Sequence, residues 1–276
     1  LKKKRNIQYS KYMLIILIWL ASLTIIYPIA MVLVTSFKSY GEANFLSINL
    51  PKKLLFENYV QVFNEGKILR SFLNSLVITV SAVALIVILS SMLSFILARN
   101  RNKINKVIFF LMMLGLCAPF AALPTIKLLQ VLHIYGSRIS LVFVYSAMFM
   151  PFSTMLITRY ITTLPKELDE AAVIDGCTGF SLFFRIIFPL LRPITITVGV
   201  INFMWVWNDF QLPLYLLNSP SMYTLPLSVY NFFGQYNRSW NLVCADMVLV
   251  SLPVVIVYFL AQKYIISGMV AGGVKG

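Results

Sequence analysis

Charge is what this chain has least of. Only 12% of its 276 residues are Asp, Glu, Lys or Arg, against about 25% in soluble chains. Apolar residues make up 59%, and the mean hydropathy is +0.84. An ordinary soluble domain is excluded, so the membrane is the expected solvent. The net charge of +14 does not point to nucleic acid, because the basic residues flank apolar runs instead of forming one stripe. In a membrane chain such flanks set orientation. Cysteine is scarce too: Cys117, Cys177 and Cys244 have no metal-ligand spacing and cannot all pair with one another. Cys117 and Cys244 read as small packing residues. The single histidine, His133, cannot build a metal site alone and suits a loop or packing role.

Catalytic and energy-harvesting motifs are also missing. There is no G-x-x-x-x-G-K-[ST] phosphate loop, no G-x-S-x-G elbow and no H-E-x-x-H helix. A TVGYG filter is absent, which counts against a potassium channel. The apolar runs lack ionisable residues at their centres, with Lys127, Asp209 and Asp246 falling toward their ends. A proton relay or voltage sensor would need them there. What remains is a passage without an energy source of its own, which makes an energy-supplying partner attractive.

Six apolar runs are present, at about 12–35, 71–98, 107–130, 139–160, 191–214 and 242–265. Each meets the roughly 20 residues needed to cross a bilayer. The first is too long for a signal-peptide core of about 7–15 residues and reads as a retained helix, with Pro28 able to bend it. Ser75, Ser81, Ser90, Ser91 and Ser94 in the second run allow close helix contacts in lipid. Pro119 and Pro124 break the third. The expected fold is an all-α membrane protein with six transmembrane helices, read as one domain over 1–276. Six crossings put both termini on one side. Most Lys and Arg fall on that side, led by Arg99, Arg101, Lys103 and Lys106 in a short loop, so both termini are expected in the cytoplasm. Residues 36–70 then form an extracytoplasmic loop, 164–193 a cytoplasmic loop between spans four and five, and 266–276 a cytoplasmic tail.

The 164–193 loop, LPKELDEAAVIDGCTGFSLFFRIIFPLLRP, is unusually charged for this chain. Pro165 suits a first helical position. Glu167, Asp169 and Glu170 suit the positive end of a helix dipole, and Gly176 is a natural stop. Leu168, Ala171 and Ala172 share one face, where the alanines admit a close partner. Thr178 can cap a second helix. Phe180, Phe183, Phe184 and Ile187 then form an apolar stripe, expected to face mostly this chain's own helices while the Glu170–Gly176 turn points outward. Pro189 and Pro193 close the unit. These residues alone leave two readings open: a docking surface for a water-soluble partner, or a solvated connector lying on the bilayer.

Glu170-Ala171-Ala172, three residues, Gly176, nine residues, then Ile186-Ile187-Phe188-Pro189 resembles the EAA loop of bacterial ABC-importer permeases, with Phe188 where leucine is usual and Asp175 fitting before the glycine. Other stretches resemble the carbohydrate branch, in particular the second permease of maltose-like systems: Phe56-Glu57-Asn58-Tyr59, Phe72-Leu73-Asn74-Ser75-Leu76, Trp207-Asn208-Asp209-Phe210 and the tail from Gly268 to Gly276. The resemblance covers nearly the whole chain. It implies a bacterial cytoplasmic-membrane machine of two permease subunits, the second a different chain, with two cytoplasmic ATPases and an extracytoplasmic sugar-binding protein. ATP and Mg would be bound by the ATPases, leaving this chain without a cofactor, a metal or an enzymatic activity of its own. It also implies that Glu170, Ala171, Ala172, Asp175 and Gly176 couple to an ATPase, and that the tail, with Gly272 and Gly273, reaches between the two ATPases.

For the passage, the residues point to the fifth run. Sugars take hydrogen bonds from amides and carboxylates and stack on aromatic faces. Asn202, Trp205 and Asp209 share one helical face, and Asn208 lies beside it. They either line an outward-opening cavity, or Asn202 bonds between helices while Trp205 and Trp207 anchor at the interface. The leading expectation is an ATP-driven importer of a sugar or oligosaccharide working by alternating access. Its rivals are an importer permease for a non-sugar solute and an ion-coupled secondary transporter acting alone.

Overall fold

The structure is a computed structural model that describes residues 2–100, 102–232 and 239–273; side chains are described except in 2–12, 16, 261 and 263–273. Among the described residues every regular element is helical. The chain divides into two compact units, one from Leu1–Leu69 with Ser228–Leu252 and one from Arg70–Leu227 with Pro253–Gly276.

The first unit begins with α1 (Lys2–Thr35), which carries Pro28 in its interior. Between Met13 and Thr35 it is apolar all round, and nearly all of its large side chains are exposed within this chain, as a helix with lipid or a partner for solvent would be. Two short helices follow, α2 (Tyr40–Ala43) and α3 (Glu57–Glu65). Polar side chains hold this segment. Asn58 donates to Ser36 O (2.8 Å) and Lys38 O (2.9 Å) and accepts from Asn241 Nδ2 (3.0 Å), while Tyr59 OH meets Ser36 Oγ (2.7 Å). Lys38 is buried, and its ammonium donates to the Ser47 carbonyl and hydroxyl. Gly66 ends α3 where a Cβ would stand 2.6 Å from Val62 O and 3.0 Å from the Phe232 ring, so no side chain fits there. Asp246 is buried, and its two carboxylate oxygens share the Ser228 hydroxyl, each 3.1 Å from Oγ.

The second unit is built on α4 (Ile68–Arg99), α7 (Arg138–Ile161) and α10 (Arg192–Asn208). Each of the three feeds two apolar clusters. One holds Ile78, Leu141, Tyr145 and Val206; the other holds Ala98, Ile157, Ile161, Ile194 and Val198. Small polar residues let α4 and α7 approach: Ser90, Ser91 and Ser94 are fully buried, and Ser94 Oγ donates to Thr154 O (3.0 Å). Ser81, of the same serine series, is exposed.

Among the described residues four helices are long and apolar enough to cross a membrane, and up to six segments do so if each of two bent pairs is one span. The third apolar run is one of those pairs. Instead of one rod over 107–130, α5 (Lys103–Cys117) and α6 (Ala122–Val131) meet at 120°. Pro119 is responsible, since it forces Ala118 into extended backbone (φ −73°, ψ 124°). Pro124 sits harmlessly in the first turn of α6. His133 takes the left-handed turn after α6 (φ 56°), in keeping with a loop role. Cys244 is buried, whereas Cys117 is exposed and not the packing residue expected. The fifth run is likewise shorter than 191–214: α10 stops at Asn208, and a separate α11 (Gln211–Leu216) follows. After it, α12 (Leu225–Ser228) leads on to α13 (Trp240–Gly273).

Candidate functional site

The 164–193 loop folds as α8 (Glu167–Ile174), a turn, and α9 (Gly179–Leu190), which bends by 78° into α10. Pro165 lies just ahead of α8 instead of opening it. Gly176 has φ +82° and nothing within 4 Å of where a Cβ would stand, so glycine is there for its backbone and not for space. Glu170, Ala171, Asp175 and Gly176 are exposed. Ala172 is buried and packs with Leu182, Phe183 and Ile187. The face drawn through Leu168, Ala171 and Ala172 is therefore divided, with Leu168 and Ala171 exposed and Ala172 turned inward.

The phenylalanine stripe is divided as well. Phe183 and Ile187 are buried, whereas Phe180 and Phe184 are exposed and stack on each other with centroids 6.5 Å apart. Only one of the three phenylalanines fully faces this chain's own core, fewer than expected. The cause is a π-helical stretch, Phe183–Ile187. Pro189 cannot donate to the carbonyl four residues back, and its ring would strike that carbonyl. The turn widens instead, and the Phe188 amide bonds Phe183 O, five residues back. A wider turn advances each residue by less than the α-helical figure of about 100°, which separates positions 180 and 184 from 183 and 187.

Arg99, at the end of α4, holds α8 in place. Its Nε lies 2.5 Å from Asp169 Oδ2. Nη2 donates to Asp169 Oδ1 (3.3 Å) and Pro165 O (3.4 Å), and Nη1 to Leu164 O (3.2 Å) and Ile161 O (3.5 Å). The guanidinium thus takes up the carbonyls of Leu164 and Pro165 just beyond α7, and more distantly that of Ile161 at its end, where a cation also complements the helix dipole.

A cavity of about 790 Å³ opens among Phe149, Phe152, Trp205, Asn208, Asp209 and Tyr258, with other apolar residues, within the size range of small-molecule sites. Trp205 sits against Phe149 (5.2 Å) and Phe152 (4.9 Å). Asp209 is extended (φ −74°, ψ 127°) and caps α11, accepting from Gln211 N (3.0 Å) and Leu212 N (3.1 Å). It also accepts from Tyr145 OH (2.8 Å). That cap is why α10 ends early. Asn208 Nδ2 turns back to Met204 O (2.8 Å).

Trp205, Asn208 and Asp209 thus come together at the cavity, and Asn202 does not. Asn202 is fully buried, donating to Ser153 Oγ on α7 (2.9 Å) and to Val198 O (2.8 Å). It bonds between helices. Trp207 is also buried, packed on Phe72 (5.6 Å) and Phe203 (5.3 Å), so it is no interfacial anchor. Gly272 and Gly273 fall on the last turn of α13, but their surroundings and residues 274–276 lie outside the described residues.

Residues 59–270 match the family described as binding-protein-dependent transport system inner membrane component. The chain belongs to that family. It is 37% identical over 273 residues to the probable starch degradation products transport system permease protein AmyC of Thermoanaerobacterium thermosulfurigenes, covering 98% of this chain and 99% of that one. It is 32% identical over 252 residues to the melibiose/raffinose/stachyose import permease protein MelC of Bacillus subtilis, covering 90% and 91%. Its fold matches, at TM-score 0.79 and 21% identity, a chain of a bacterial ABC transporter involved in import of the acidic polysaccharide alginate, covering 93% of this chain and 96% of that one.

In this multi-pass transport component, several motif residues turn out to hold the fold. Asn74 donates to Ser221 O (3.1 Å) and Tyr223 O (3.0 Å), and Ser75 Oγ accepts from Leu225 N (2.7 Å). Two contributions escaped the sequence reading. Tyr145, Phe149 and Phe152 stand at i, i+4 and i+7 on α7, an aromatic stripe that was there to be read. Arg99 gave no such signal, because it sits among other basic residues and its partner lies 70 positions away.

Proposed function

We propose that this chain is the membrane-spanning subunit of an ATP-driven ABC importer that carries a sugar or oligosaccharide into a bacterial cell. The six spans are α1, α4, the bent α5–α6 pair, α7, α10 and α13, with both termini in the cytoplasm and 36–70 outside. The 164–193 loop is then cytoplasmic and seats a separate ATPase, which binds the ATP and Mg. A second permease, two ATPases and an extracytoplasmic sugar-binding protein complete the machine. The observation that carries this reading is the exposed edge Glu170–Ala171–Gly176, held on α9 by Ala172 and on α4 by the Asp169–Arg99 pair. Small residues and an open backbone suit close approach by a protein partner. The sugar class is supported by the starch-product and melibiose/raffinose/stachyose names of two relatives. In the cavity, Trp205 and its phenylalanine neighbours offer flat faces for sugar C–H surfaces. Asn208 and Asp209 supply polar edges. Alternating access would expose this cavity first to the binding protein and then to the cytoplasm.

The test is Gly176→Leu. Its backbone conformation costs a β-carbon-bearing residue about 1–2 kcal/mol, and a bulky side chain there would obstruct the docking edge. The expected result is loss of ATPase from the purified complex and loss of sugar uptake in proteoliposomes supplied with loaded binding protein. Retention of both sinks the docking claim.

A further inference from the structure

Lys103 and Lys106, in the same basic stretch as Arg99, are exposed as solvated flanking charges should be. Arg99 is not. Its side chain is 12% exposed and that of Asp169 is 16% exposed. One planar group reaches three chain segments: it extends from α4, takes carbonyls at and just beyond the end of α7, and grips the carboxylate of α8 with two nitrogens. A lysine, a compact charge without a fork, cannot hold that many acceptors in fixed directions. Otherwise α8 packs through Ala172, its one buried side chain, against Leu182, Phe183 and Ile187 of α9. Toward α10, α8 is joined by that small contact and by a glycine turn, the widened stretch Phe183–Ile187 and a 78° bend. The connection through Arg99 is stiff. The connection through α9 is built from the elements where helices yield.

We infer that Arg99 is a positioning residue that makes α8 and the ends of α4 and α7 move as one body. A displacement imposed on α8 by a partner is thereby delivered to α4 and α7, while α10 follows through the compliant α9. This rests on the reading of 164–193 as the ATPase-docking loop and adds the route by which the push leaves it. Neither the Coulomb attraction nor the carbonyl bonds alone would do this; the fork supplies both from one rigid plane.

The experiment uses the whole complex in proteoliposomes with loaded sugar-binding protein, measuring sugar uptake and ATP hydrolysis in the same sample. The variants are Arg99→Gln, Arg99→Lys, Asp169→Asn and the double Arg99→Gln/Asp169→Asn. The ATPases are expected to copurify with every variant. Sugar moved per ATP should fall about tenfold for Arg99→Gln and Asp169→Asn, in the range of ordinary coupling free energies. Arg99→Lys should fall less, and the double variant no further than either single one. A merely structural role would lower uptake and hydrolysis together, in proportion to assembled complex, and leave the ratio alone. An unchanged ratio in all four variants overturns the proposal. So does release of the ATPases, because the clamp would then shape the dock and not transmit from it. The docking reading fails on a separate observation, that ATPases do not copurify with the unsubstituted chain.

Discussion

Asp209 and Glu170 both sit in short motifs next to helix ends, yet they are used in opposite ways. Asp209 accepts from Tyr145 OH and from the amides of Gln211 and Leu212. Asn74, Ser75 and Asn58 are committed in the same way, each to backbone groups of its own chain. Glu170 stands exposed, with Ala171 and Gly176 beside it. A motif thus marks two different things. Where its polar groups are satisfied internally, it holds an unusual backbone path. Where they face solvent, it is available to something else. Asp209, Asn74, Ser75 and Asn58 belong to the first kind, and the exposed edge of the 164–193 loop to the second.

The largest expected effect is at Asp209. Asp209→Ala removes the α11 cap, worth about 0.5–2 kcal/mol. It also strands the buried Tyr145 hydroxyl at about 1–3 kcal/mol, so a stability loss on the order of 2–4 kcal/mol is expected. Thermal unfolding of the purified complex measures it, and adding Tyr145→Phe should return part of the loss. Asn74→Ala should follow, at about 1–3 kcal/mol, since two carbonyls lose their donor in a buried place. A denaturation midpoint equal to the parent's would mean those bonds are not what holds the 219–225 segment. Glu170→Ala should leave stability within about 0.5 kcal/mol, as for surface positions generally, yet weaken ATPase retention during purification. A large stability loss there would move Glu170 into the same class as Asp209.

The smallest effect concerns Glu42, whose carboxylate accepts from the Ser39 amide (3.3 Å) and hydroxyl (3.0 Å) and from Lys52 N (3.4 Å). The Ser39 backbone bond, then the Ser39 hydroxyl and Lys52, hold it below its ordinary value of 4.5. A depressed acid contributes stability that is present above the unfolded value and lost as pH falls through the folded one. Unfolding midpoints of the parent and Glu42→Gln should differ slightly at neutral pH and converge below pH 4.5. A gap that widens in acid would reverse the sign.

Much of the architecture was legible because it follows from composition and spacing. Six apolar stretches, the Gly176 stop and the buried serines of α4 all came from local pattern. The bends did not. Pro119 announced a break but not its 120° angle, which depends on what packs around Ala118. The end of α10 was missed because Asp209 looked like a passage residue when it is also a cap. Asn202 had the right residue type for a sugar contact, yet Ser153 on another helix claims it. Arg99 was hidden because an ion pair across 70 positions leaves no periodicity.

The widened turn at Phe183–Ile187 makes the loop a ruler. It stores one residue beyond what an α-helix of the same rise needs, and it keeps Phe183 and Ile187 inward while Phe180 and Phe184 stay out. Replacing a side chain in this stretch changes one contact. Removing that extra residue would close the turn to ordinary helix and bring the Pro189 ring against the carbonyl four residues back, the clash the wider turn avoids. The nine residues between Gly176 and Ile186 are therefore constrained in number as well as in kind, because the proline sets how many residues the turn must hold.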